Sequence, residues 1–423
     1  MDNSISAGQD ESFCPALIFL CAQGGTRTTL GEIFFVIYLF LPKSFLTLQP
    51  LKVVRIPPLE VLFIKTFIVM TLEQTYKKWL SIQPLSERQQ HKLSMKFSVE
   101  YNYNSNHMEG NTLTYGQTEL LLLFGKVSGE GDLKDFNDMK ASEVSVQMMR
   151  EESQTKNIPL SQNFIRTLHH TLLRENYTEY RILPNGVQTS FVVHAGQYKT
   201  RPNSVITRYG DRFEYASPQE TPALMAYLVD WYNEEENKGN LSPVELAALF
   251  HYRYIRIHPF EDGNGRIARL MVNYILSRHG WPMIVVRSRK KKEYLEALHQ
   301  TDLKVGFSPS DGAHASLADI SIFLKYFKKL VQDEIKSDID FALAEGKDLW
   351  WYDGEQIKFR SPNASKLLSL LLLNPDMSIA TLAEKIGINK SAMQKLMDSM
   401  EDKGYISRNE KDGTWHVLAI YTK

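Results

Sequence analysis

From Met70 onward, apolar residues recur at helical spacing along nearly the whole chain. Tyr76, Trp79 and Leu80 start the pattern, and residues 85–125, 138–176 and 219–280 continue it, which predicts a mainly α protein. Leu246, Leu249, Phe250, Tyr254 and Ile257 mark the inner face of one helix. Ile267, Leu270, Met271, Tyr274 and Ile275 mark the next, so a short loop must turn the chain between two buried helices. Residues 196–206 differ: they begin at Gly196 and return through β-branched Val205 and Ile206, predicting a short hairpin. Past Ser361 the pattern predicts three short helices, over residues 367–373, 378–386 and 391–403. Two strands around Asp412-Gly413 follow.

Residues 1–69 do not share this order. Apolar stretches at 16–22, 33–41 and 61–70 alternate with prolines, a Gly-Gly pair and basic residues, with no sustained period. They are an atypical leader, and the orderly pattern at Met70 predicts that the natural chain starts there. The run at 33–41 is about half of the roughly 20 residues a spanning helix requires, so no firm membrane association is expected.

Charge narrows function little. Lys plus Arg equals Asp plus Glu at 49 each, so no global field draws the chain to DNA or anionic membranes. The two cysteines, Cys14 and Cys21, form no disulfide framework, and a reducing, cytoplasmic compartment is expected. Residues 338–360, with Gly346, Trp350 and Trp351, look like a connector.

The densest chemistry lies in residues 258–269, His-Pro-Phe-Glu-Asp-Gly-Asn-Gly-Arg-Ile-Ala-Arg. Gly263 and Gly265 let backbone N–H groups approach a ligand, and the helix opening behind them favours an anion at its start. Arg266 and Arg269, three apart, suit phosphate oxygens. Asp262 offers a hard oxygen to Mg2+, which commonly takes one or two carboxylates plus substrate phosphates. His258, at the end of the preceding helix, has the titration range of a general base. The whole suits a nucleoside triphosphate.

This run resembles the motif of the Fic family, His-x-Phe-x-(Asp/Glu)-Gly-Asn-Gly-Arg-x-x-Arg, at every defined position. The resemblance implies transfer of AMP from ATP to a Ser, Thr or Tyr hydroxyl of a target protein. His258 would be the base and Asp262 the metal ligand. Asn264 with the backbone of Gly263 and Gly265 would hold phosphate oxygens, and Arg266 and Arg269 the distal phosphates. Upstream, Ser105-Asn106-His107-Met108-Glu109-Gly110 resembles the family's inhibitory motif, (Ser/Thr)-x-x-x-Glu-(Gly/Asn). Glu109 would then engage Arg269 as a bidentate ion pair and leave ATP in an unproductive pose. Relatives also use a flap like residues 196–206 to align the target, which would place Val205 and Ile206 at a docking edge. Tyr294 and Asp302 resemble the segment closing the adenosine side, although Leu295 stands where relatives carry a second aromatic. The basic run Arg287, Arg289, Lys290, Lys291 and Lys292 is expected to be a solvated surface.

The resulting organisation is a leader at 1–69, an N-terminal helical region with the inhibitory helix at 70–180 and a Fic catalytic core at 181–337. A connector at 338–360 leads to a domain at 361–423 that resembles a winged helix. The third helix of that domain mixes Lys390, Lys395 and Lys403 with Asp398, Glu401 and Asp402, leaving protein docking, homodimer formation and nucleic-acid binding open. Three alternatives to AMP transfer remain at this point: a DNA-binding regulator whose Fic core senses nucleotide, transfer of another phosphate-linked group, and AMP removal with Glu109 orienting a water.

Overall fold

The computed structural model describes residues 70–127, 131–182, 186–206, 212–408 and 413–422, and two short strands of the leader. Those strands, β1 (Phe13–Leu17) and β2 (Tyr38–Pro42), pair antiparallel within a unit separate from Val69–Lys423. The rest of the expected leader, including its boundary before Met70, lies outside the described residues.

The helices begin where side chains can satisfy their first N–H groups. Thr71, Ser86 and Thr114 close capping boxes at the starts of α1 (Leu72–Ser81), α2 (Glu87–His107) and α3 (Tyr115–Phe124). The helical pattern over 85–125 is therefore two helices, and the break at Met108–Thr114 places Glu109 and Gly110 just past the end of α2. Helices α4 (Leu133–Gln154), α5 (Gln162–Leu173) and α6 (Thr221–Lys238) surround a central pair, α7 (Pro243–Ile257) and α8 (Asn264–Arg278). Ser242, Pro243 and Glu245 start α7 with a capping box and a proline in the first turn. Phe250, Tyr254, Ile257, Ile267, Met271, Tyr274 and Ile275 are fully buried, so α7 and α8 form the middle of the core. After a 3-10 turn at Ser288–Lys290, α9 (Lys291–Val305), α10 (Pro309–Ala313) and α11 (Ser321–Ala342) complete the bundle. Among the described residues, no helix is long and apolar enough to cross a membrane.

The hairpin expectation needs correction. Residues 196–203 are a loop between two hairpins, β3 (Tyr177–Ile182) with β4 (Gln188–Val193), and β5 (Ser204–Ile206) with β6 (Arg212–Glu214). Strand β5 pairs forward with β6, Val205 facing Phe213 and Ile206 facing Arg212, rather than back across residues 196–203. The side chains of Val205 and Ile206 lie outside the described residues. The β3–β4 hairpin had a legible signal, Asn185-Gly186, the dipeptide that suits a tight hairpin turn.

The C-terminal module has the expected three helices, α12 (Pro362–Leu373), α13 (Ile379–Ile386) and α14 (Lys390–Asp402), and the strands β9 (Ile406–Arg408) and β10 (Trp415–Val417). It buries Leu367, Leu371, Leu382, Met393, Met397 and Trp415 in its own core. Part of the expected connector at 338–360 is regular structure. Residues 338–342 finish α11, while β7 (Trp350–Tyr352) pairs with β8 (Glu355–Gln356) and with the last strand, β11 (Ile420–Tyr421). Trp350 and Trp351 are buried there, because two large apolar rings gain more from packing than from a solvated link.

Candidate active site

Helix α7 ends by turning His258 into the left-handed region at φ 52, ψ 61. Gly263, also left-handed at φ 76, turns the chain again to start α8. The carbonyl of Gly263 accepts from Ile267 N–H at 3.0 Å, the first bond of that helix, so the N–H groups of Asn264, Gly265 and Arg266 face out of its start. A cavity of about 860 Å³ opens there, lined by His258, Asp262, Gly263, Asn264, Gly265, Arg269, Tyr294 and Asp302, with Glu109 at its edge. Its size is that of a small-molecule site.

Around this cavity the sequence-derived residues take different parts. His258 is half-buried under Tyr215, whose ring stacks on the imidazole at 3.9 Å and 15°. Its Nδ1 is buried without a hydrogen-bond partner among the described residues, which leaves Nε2 to meet a substrate. Burial, and then the nearby Lys199 ammonium, push the imidazole down to about 3, so it is neutral at physiological pH. Asp262 is about half exposed, and its Oδ2 accepts from Tyr177 OH at 2.7 Å and Arg266 Nη2 at 3.0 Å. Burial alone would raise its carboxyl, but Arg266 and the Tyr177 hydroxyl hold it below the usual range.

The side chain of Asn264 turns back onto its own loop. Its Oδ1 accepts from Phe260 N–H at 2.9 Å and its Nδ2 donates to Phe260 O at 2.8 Å, closing the loop on itself. The two arginines also part company. Arg269 lines the large cavity, whereas Arg266 pairs with Asp262 and lines a second space of about 210 Å³ behind it. Glu109 borders both spaces.

Arg269 is buried, and Glu109 reaches it as the resemblance implied, but through one oxygen. Arg269 Nη2 donates to Glu109 Oε1 at 2.7 Å and to the Ser105 carbonyl at 2.8 Å, and Nε donates to Ser105 Oγ at 3.0 Å. The bidentate pair expected is thus replaced by a guanidinium shared between Glu109 and Ser105. Burial works to raise the Glu109 carboxyl, yet Arg269 and Arg266 keep it below the ordinary range. Its Oε1 also packs against Cα of Gly265, in space that a Cβ there would fill. Gly110, at φ 98, ends the motif in a conformation that favours glycine.

Tyr294 and Asp302 line the cavity but are already engaged. Tyr294 is buried with its hydroxyl 2.8 Å from His251 Nε2. Asp302 accepts from Tyr252 OH at 2.8 Å and Arg256 Nη1 at 3.1 Å. Arg287, expected on a solvated basic surface, is only 2% exposed. It donates to Glu334 at 2.6 and 2.9 Å, to Glu100 at 2.8 Å and to Asp353 at 2.9 Å, because three carboxylates, from α11, α2 and the β7–β8 turn, converge where the run folds inward.

Several residues important to the geometry carried no motif. His169 accepts from Gly196 N–H at its Nδ1 (2.8 Å), which fixes the proton on Nε2, and Nε2 donates to Asp262 O at 3.0 Å. Its ring stacks on Phe260 at 3.7 Å, and burial pushes its imidazole down to about 4. Glu261 accepts from Thr200 N–H at 3.1 Å and His194 N–H at 3.2 Å, joining the loop to residues 194–200. Lys199 reaches the loop from the same segment, and burial pushes its ammonium down to about 7.

Residues 159–276 match the Fic/DOC family, and residues 361–413 match the MarR family. A Fic-domain-containing signalling protein of Bacteroides thetaiotaomicron is 52% identical, with a TM-score of 0.60. The match covers 65% of this chain and 97% of that one. The chain belongs to the Fic/DOC family. Protein adenylyltransferase fic-1 of Caenorhabditis briggsae is 29% identical over 231 residues, 54% of this Fic chain and 39% of that protein. Protein adenylyltransferase Fic of Nematostella vectensis is 28% identical over 200 residues, 47% of this chain and 42% of the relative. This Fic protein therefore spans well under half the length of those two adenylyltransferases.

Proposed function

We propose that this protein transfers AMP from ATP to a Ser, Thr or Tyr hydroxyl of a target protein and is held back by Glu109. The observation that carries the proposal is the convergence of His258, the open start of α8 and Arg269 on one cavity, with Glu109 on the same arginine. The likeness to proteins named adenylyltransferases supports the reaction. The target oxygen attacks the α-phosphorus as its proton passes to His258 Nε2. The bond from that phosphorus to the bridging oxygen breaks, and pyrophosphate leaves with the electron pair. Gly263, Gly265 and the first N–H groups of α8 hold phosphate oxygens, where the helix start favours anions. Arg269 binds the distal phosphates once Glu109 has withdrawn.

Magnesium enters with ATP in this proposal. Asp262 fits a ligand role, since its carboxylate is about half exposed at the cavity and only its Oδ2 is engaged. Among the described residues, no cluster of three or more such side chains is placed to hold a metal, so the phosphates would supply the other ligands. Bound there, the ion would neutralise phosphate charge. The target would align along β5, whose outer edge has no strand partner among the described residues.

The test compares α- and γ-labelled ATP on wild type, Glu109→Gly and His258→Ala. Protein-bound α label without γ label, strongest in Glu109→Gly and absent in His258→Ala, is expected. No protein-bound α label in any of the three would overturn the proposal.

The MarR-type match supports a second reading, nucleic-acid binding by residues 361–423. Exposed Lys390 and Lys395 on α14 favour it, while exposed Asp398, Glu401 and Asp402 weaken phosphate attraction. Filter binding of random duplex over a salt series decides it, and retention that does not fall with salt would count against it.

A further inference from the structure

Lys199 is 3% exposed, and among the described residues no carboxylate lies within ion-pair reach of it. Its ammonium donates instead to the carbonyls of Ile257 at 3.1 Å and His258 at 2.9 Å, and to Asn203 Oδ1 at 2.7 Å. Those carbonyls end α7, where the helix dipole favours a cation. The main-chain N–H of Lys199 also donates to Pro259 O at 2.8 Å. Asn203 continues the clamp, its Nδ2 donating to His258 O at 3.3 Å and Phe260 O at 2.9 Å. All of this falls on the residues that turn His258 into its left-handed conformation. Lys199 does not itself line the large cavity, so its ammonium is not a phosphate ligand there.

We propose that Lys199 is a positioning residue for the base. With Asn203 it clamps the His258 main chain in its left-handed turn and ties that turn to the start of β5, so the target-docking strand and the base share one rigid support. The inference rests on His258 being the base. A strained turn one residue past a helix needs outside bonds to hold it, and a misplacement of about 1 Å at a reacting group costs up to roughly a hundredfold in rate. A long side chain with three donors can reach two carbonyls and an amide at once, which no shorter residue at this position would do.

The test is made on full-length chain in the Glu109→Gly background. The readouts are the initial rate of α-labelled AMP incorporation into lysate protein at saturating ATP, the affinity for ATP with Mg2+ by calorimetry, and thermal melting. Lys199→Met is expected to lower the rate by roughly ten- to a hundredfold with ATP affinity within about twofold. Lys199→Arg should restore much of the rate, because a guanidinium still donates to both carbonyls. Asn203→Ala, which removes a smaller share of the clamp, should show the same split and serves if Lys199→Met does not fold. An undiminished rate in the folded Lys199→Met or Asn203→Ala chain would overturn the inference, as would an equal loss of rate and ATP affinity. Absence of labelling in the Glu109→Gly parent itself would instead overturn the reading of the reaction, and the inference with it.

Discussion

Glu109 Oε1 lies 2.7 Å from Arg269 Nη2, and the same nitrogen donates to the Ser105 carbonyl, four residues earlier in the chain. One buried guanidinium therefore holds both the end of α2 and the carboxylate beyond it. Glu109→Gly is expected to raise AMP transfer by roughly tenfold or more, since loss of about 1.4 kcal/mol of competing contact is a tenfold change. Arg269→Lys is expected to lose transfer even in that background, because an ammonium lacks the fork that spans phosphate oxygens. Rates with labelled ATP on the three chains check both.

The same pair sets a pH expectation. With its folded-state pKa lowered, the Glu109 carboxylate favours the folded, paired state above the unfolded value. That contribution disappears only as pH falls through the still lower folded value. The ratio of Glu109→Gly to wild-type rate should thus stay level from pH 8 down to about 5. A ratio collapsing towards one within that window would show that protonation releases Glu109.

His169→Phe should keep the stack on Phe260 but lose the bonds to Gly196 N–H and Asp262 O. A buried donor left unpaired costs about 1–3 kcal/mol. Melting should show a fold retained with that loss, and ATP labelling should show a reduced rate.

Acid should destabilise the chain before its carboxylates titrate. Burial pushes His169 to about 4 and His251 to about 3, so the unfolded chain takes up protons below the ordinary histidine value while the folded chain does not. Stability falls as pH drops from there, by roughly 2 kcal/mol per histidine at pH 5. Denaturant titrations at pH 7 and pH 5 measure it, and His251→Phe should shrink the difference.

Arg287→Met should cost about 3–5 kcal/mol, since it strands Glu334 as a buried charge and leaves Glu100 with Lys96 alone. Urea unfolding of the variant checks this.

Much of the site was legible because its chemistry is local. A base, a carboxylate and a glycine turn before an amphipathic helix lie within residues 258–269, and spacing alone placed His258, Asp262 and Gly263 at one cavity. The part played by the Asn264 side chain was not legible because its residue type suits both an anion and a loop staple, and only the position of Phe260 shows it stapling the loop. Arg287 was misread because a basic run looks the same whether it meets water or three acidic side chains folded against it.

By itself the sequence determined the helical pattern, the Fic motif and the three helices with a hairpin after residue 361. Each of these depends on residues close together in the chain, through caps, periodicity or turn chemistry. Tertiary structure alone decided that Glu109 meets Arg269 through one oxygen, that Arg266 faces a different space, and that His169 and Lys199 hydrogen-bond to the turn after α7. Those outcomes depend on groups dozens of residues apart being brought within hydrogen-bond distance. Burial then removes water as the competing partner, and no local pattern in the chain records which partner remains.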